Sequence, residues 1–129
     1  MKAASIACLA GASLFVTATA FAADLGSEIN NAQTHAGLAA QAANLDGVHM
    51  HMHHALNCLV GPQGDGFDAK QMNPCAQSGG GAIPDEMDAA KKAKLMTAKG
   101  QLQNGIAATD LKAAQTDAAS AQTTIASAK

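Results

Sequence analysis

The chain has no arginine, no tryptophan and no tyrosine, and beyond residue 21 its sole aromatic is Phe67. Without guanidinium forks or stacking faces, and with a formal charge of −2, it lacks the footprint of a nucleic-acid binder. Proline occurs only at Pro62, Pro74 and Pro84, so the stretches on either side are open to helix. No strand-length alternation of apolar and polar residues is present either. Neither Gly-x-Ser-x-Gly nor His-Glu-x-x-His occurs, nor a defensible carboxylate pair, so no enzyme is expected. The haem-attachment motif Cys-x-x-Cys-His is missing too. With so few aromatics, any core must be built from Leu, Ile, Val, Met and a great deal of Ala, and alanine buries little area per residue. A small domain of this kind needs a staple, a metal or a partner chain.

Residues 1–22 read as a secretory signal peptide. Lys2 supplies the positive start, an apolar stretch runs from about Ile6 to Val16, and Ala20-Phe21-Ala22 ends in the small-x-small pattern of a cleavage site. Cleavage is expected after Ala22 or Ala23, with export to a bacterial periplasm. Cys8 lies inside this leader without a lipobox around it. No later segment has the length and hydropathy of a membrane span. Residues 23–129 form one expected domain, with seven lysines against ten acids. Its two cysteines, Cys58 and Cys75, are expected to pair in an oxidising compartment. A disulfide closing a loop of that length stabilises a fold by roughly 3 kcal/mol on the chain-entropy account.

Histidine and methionine, by contrast, are crowded together. The run His49-Met50-His51-Met52-His53-His54 holds four of the five histidines and two of the six methionines. Imidazole is the commonest metal-binding side chain, and thioether sulfur favours soft ions such as Cu(I). On a helix, His49 and His53 form an i, i+4 pair suited to one ion, and Met50 and His54 form a second on an adjoining face. His51 lies nearest His54. The run can serve two low-coordinate sites, or one site completed by another helix or subunit. His35 falls on the same stripe as His49 but about 21 Å away along a straight helix, so it shares their ion only if another chain brings it near. Alternative readings are solvated helix residues with one His in a seam, or a strand placing His49, His51 and His53 on one side. Cys58 follows His54 by four, which also allows a His–Cys site, but export favours the disulfide.

The coarse fold is all-α. Residues 24–60 contain no proline and carry Leu38, Ala42, Leu45, His49, Met52, Leu56 and Leu59 at alternating spacings of four and three, one helical stripe. Asp24 or Ser27 is placed to cap this helix, with Gly37 and Asp46-Gly47 as points where it can break. Residues 61–84 have loop composition, long enough to need a tie, which the cysteines provide. A second helical stretch, 85–128, begins at Pro84-Asp85-Glu86 and can split at Gly100 or Asn104-Gly105. Met96 is expected in its core. The architecture is therefore an antiparallel helical hairpin or a small three- or four-helix bundle with a long disulfide-tied loop, and a bare hairpin would gain by dimerising.

The leader, the Ala-rich helical body and the run His49 to His54 resemble the small His-rich periplasmic metal-binding proteins of bacteria. That resemblance implies a helical protein associated with copper and other divalent metals. Those proteins spread histidine through regular heptads, whereas this chain concentrates it beside a cysteine-bearing loop, which implies one or two ions rather than many. The expected function is copper binding for buffering, tolerance or delivery, with nickel or zinc as alternative ions. The expected ligands are His49, His53 and His54, then His51, Met50 and Met52, with His35 as an additional candidate. Expected partners are the ion, a second copy of the chain and a delivery or efflux protein. The rival expectation is a periplasmic adaptor or pH-sensing protein that binds no metal.

Overall fold

The structure is a computed structural model and describes residues 22–129; the leader expected over residues 1–22, with Cys8, lies outside them apart from Ala22. Five helices follow in order: α1 (Leu25–Gln41), α2 (Leu45–Val60), α3 (Ala82–Asp85), α4 (Ala89–Ala107) and α5 (Leu111–Ala126). No strand occurs among the described residues. The four long helices make an up-down-up-down bundle in which α1 packs on α2 and α5, and α4 on α2 and α5. Contacts between elements fix the antiparallel senses. His49 reaches Ala108 across α2 and α4, Gln115 reaches Ala42 across α5 and α1, and Lys94 reaches Ser127 across α4 and α5. Among the described residues, no helix is long and apolar enough to cross a membrane.

Each long helix starts on an Asx cap. Asp24, Asn44, Asp88 and Asp110 accept the backbone N–H of Ser27, Gly47, Lys91 and Ala113 respectively. A cap of this kind contributes about 1 kcal/mol by satisfying a donor that the first turn leaves free. These caps correct the expected helix boundaries. The single helix over 24–60 is two helices, broken at residues 42–44 because Asn44 restarts the chain rather than because Gly37 or Gly47 ends it. The 85–128 stretch likewise starts at Ala89 behind Asp88, after the separate turn α3, and divides at residues 108–110 ahead of Asp110. Gly100 and Gly105 stay inside α4. The break also dissolves the single stripe: α1 buries Ile29, Ala32, Ala36 and Ala39, and Leu38 is left 43 % exposed.

The core is largely alanine, as the composition requires, with Met52, Leu59, Leu95, Leu102, Ile125 and Val48 as its large side chains. Close packing of α2 on α4 depends on Gly105, where a methyl group would fall 2.7 Å from Met52 Sδ and 3.0 Å from Asp117 Cβ. Met96 is not core: it is 50 % exposed on the outer face of α4.

The long loop is tied as expected by Cys58–Cys75. A second anchor is Asn57, fully buried on the last turn of α2. Its Oδ1 accepts from Asp68 N at 2.9 Å, while Nδ2 donates to Asp68 O at 3.0 Å and Met72 O at 3.1 Å. Buried carbonyls that secondary structure leaves unpaired must find such partners. Gly61 ends α2 at φ 67°, where a side chain would collide with the Gly80 carbonyl, so the loop's two ends can meet there.

Candidate metal centre

His35 lies six residues before the end of α1, and His51 lies six after the start of α2. Folding the chain at 42–44 therefore places them opposite each other in the antiparallel seam. His54 stands one turn beyond His51 on the same helix face, since residues three apart are neighbours. One donor atom from each of these three histidines lies within 4.8 Å of the other two. The Nδ1 atoms of His35 and His51 are 3.2 Å apart. Ring centroids are separated by 5.1 Å for His35–His54 and 5.7 Å for His51–His54, both edge-to-face.

The 3.2 Å separation has a chemical meaning. Two imidazole nitrogens each about 2.0 Å from a tetrahedral ion are themselves about 3.3 Å apart. The same spacing fits an N–H···N hydrogen bond, so a proton and a metal ion compete for one gap. The three donor atoms lie within 4.8 Å of one another, so a side-chain rotation is enough to close the third onto that ion. His54 is 6 % exposed, and its Nδ1 has no hydrogen-bond partner among the described residues. His35 and His51 are half-buried, which leaves a route for an ion from solvent.

Electrostatics favour the ligating form. Burial pushes His35 below its ordinary value of 6.5, and the neighbouring imidazoles of His54 and His51 push it further. Burial, followed by His51 and His53, does the same for His54. A ligating imidazole must be neutral, so the lowering at His35 and His54 reduces competition from protons for an ion. The donor set is three nitrogens with no thiolate, which suits Cu(II), Ni(II) or Zn(II).

The remaining candidates from the sequence sit elsewhere. His49 Nε2 is 3.0 Å from the Ala108 carbonyl; a carbonyl only accepts, so this nitrogen carries the proton and ties α2 to the α4–α5 turn. His53 Nδ1 is 3.7 Å from an Asp68 carboxylate oxygen, facing the loop. His49 is thus bound to another element, whereas His53 Nδ1 has no hydrogen-bond partner among the described residues; the pair that meets His35 is His51 and His54. Met52 fills the core against Gly105. Met50 is 42 % exposed on α2, four residues before His54. Cys58 is taken up in the disulfide, which leaves no thiol for a His–Cys site.

Glu28 was not among the candidates from the sequence. It is fully buried on α1, its Oε1 accepts from Gly81 N at 2.9 Å, and its Oε2 has no hydrogen-bond partner among the described residues. Burial is the main cause that raises it from 4.5 to about 7, and the Asp85 carboxylate beside it raises it further. A first-turn Glu ordinarily reads as a solvated helix acid, so nothing in the local sequence signals its burial.

No family model matches the chain, and no curated protein and no solved structure matches it either.

Proposed function

We propose that this protein binds one copper ion through His35, His51 and His54 and acts in buffering, tolerance or delivery of that ion outside the cytoplasm. The observation that carries this reading is the convergence of three imidazoles from two helices on one point of the α1–α2 seam. Among divalent first-row ions, copper binds nitrogen sites most tightly, and Met50 places a thioether one turn from His54 for the soft monovalent state. The Cys58–Cys75 bond and the leader-like N-terminus support an oxidising, exported setting. Two half-buried members, His35 and His51, suit an ion that is taken up and passed on rather than locked in. The part of the protein is binding, with no reaction assigned to it.

The test is a copper titration by calorimetry on three forms of the protein. The wild type and a His49→Ala/His53→Ala variant should each bind one ion, and a His35→Ala/His51→Ala/His54→Ala variant should bind none. Retained binding in the triad variant would refute the proposal. Free copper at a hundred times Kd should also stabilise the fold by about 2.7 kcal/mol.

The competing reading as a pH-responsive interaction protein draws on the same triad. Protonating two of these rings would set like charges across the seam and weaken α1 against α2. That reading predicts no retained ion and no thermal shift on adding metal.

A further inference from the structure

A cavity of about 460 Å³ opens beyond the C-terminal end of α2, between α4 and the turn α3. Its walls are apolar: Val60, Ile83, Pro84 and the exposed Met96, with backbone from Gly64 and Gly80. Polar groups are confined to Gln63, Asp65, Lys92 and Lys99. Lys92, Met96 and Lys99 fall at i, i+4 and i+7, so all three lie along one face of α4. Lys99 Nζ is already paired with Asp65 Oδ2 at 3.0 Å, which neutralises that end of the groove. Lys92, about 10 Å away along the helix, has no ion pair among the described residues. Asp88, the cap just ahead of α4, holds its carboxylate on Lys91 N at 2.8 Å. Helix α4 carries Lys91, Lys92, Lys94 and Lys99 and no acid within Ala89–Ala107, so the helix wall of the groove is cationic.

An apolar trough with one unpaired ammonium at its edge is complementary to a molecule with an apolar body and a single anionic head. We infer that this groove binds a small aliphatic carboxylate, the anion of a medium-chain fatty acid, with its head on Lys92 and its tail over Met96, Ile83, Pro84 and Val60. A dicarboxylate fits less well, because Asp65 occupies Lys99 and would repel a second head. The walls are preformed: Val60 lies next to the Gly61 turn, and the loop that follows is fixed through Asn57 and Cys58–Cys75. The inference is independent of the histidine triad, which lies in the other seam of α2.

The probe is octanoate, added to protein labelled with 13C at the methionine methyl groups. Saturable movement of the Met96 methyl resonance, with the Met50 resonance unmoved, is the expected result. Lys92→Gln should weaken octanoate by about threefold or more, the size of one partly exposed ion pair. Octanol, with the same tail and no charge, should bind more weakly than octanoate. Non-saturating shifts, movement of Met50 and Met96 alike, equal binding of octanol, or an unchanged affinity in Lys92→Gln would each overturn the inference.

Discussion

Replacing Glu28 by Gln separates the proton chemistry of the fold from that of the triad. Glu28 is fully buried and is raised from 4.5 to about 7, so the native state holds a proton there that the unfolded chain gives up at lower pH. The sign follows from linkage: between pH 4.5 and 7 the native form binds more protons than the unfolded form, so stability falls as pH rises through that window. A shift of this size corresponds to roughly 3 kcal/mol at 1.36 kcal/mol per unit, fully present below pH 4.5 and lost above pH 7. The amide of Gln reproduces the neutral acid. Its oxygen can accept from Gly81 N as Glu28 Oε1 does, and its NH2 can donate toward Asp85. The assay is urea unfolding of both proteins at pH 5 and pH 8. The variant should gain about 2.5 kcal/mol relative to wild type on going from pH 5 to pH 8, part of the effect being already lost at pH 5. A difference between the two proteins that stays constant across the range would show that Glu28 titrates as an ordinary carboxylate, and the reasoning would fail.

Other outcomes follow from the same structure. His35 and His54 are lowered below 6.5, so their contribution to stability is present above pH 6.5 and is lost as pH falls below it; urea midpoints of a His35→Gln/His54→Gln variant should lose that acid-side slope. Gly105→Ala pushes a methyl group into Met52 Sδ and Asp117 Cβ and should cost about 1–3 kcal/mol in thermal or urea unfolding, whereas Gly100→Ala, with open space around it, should be neutral or stabilising. Asn57→Ala removes three short hydrogen bonds to the loop and leaves buried backbone groups unpaired, for a loss of about 2–4 kcal/mol by the same measurements.

Helix content was legible in the sequence because absent proline and three-four apolar spacing are local signals. Helix number was harder to read. Glycine marks Gly37, Gly47, Gly100 and Gly105 as expected break points, yet all four lie within helices. The real punctuation was the Asx caps, with Asn44 before Leu45 and Asp110 before Leu111, whose side chains answer the N–H groups three residues on. That difference decides the site. A continuous helix keeps His35 far from the histidine run, while a hairpin at 42–44 places it against His51 and His54. The run itself marked the region but could not say which ring faces the partner helix, because that depends on bundle packing. Met52 and Met50 show the same limit: adjacent in pattern, one ends fully buried against Gly105 and the other 42 % exposed.

The central claim is that His35, His51 and His54 share one ion. The most direct measurement is imidazole 15N NMR of histidine-labelled protein titrated with the diamagnetic ions Zn(II) and Cu(I). With one equivalent of an ion that binds, the ring nitrogens of His35, His51 and His54 should move together to coordinated positions while those of His49 and His53 stay in place. Coordination shifts at His49 and His53, or none at His35, would contradict the account.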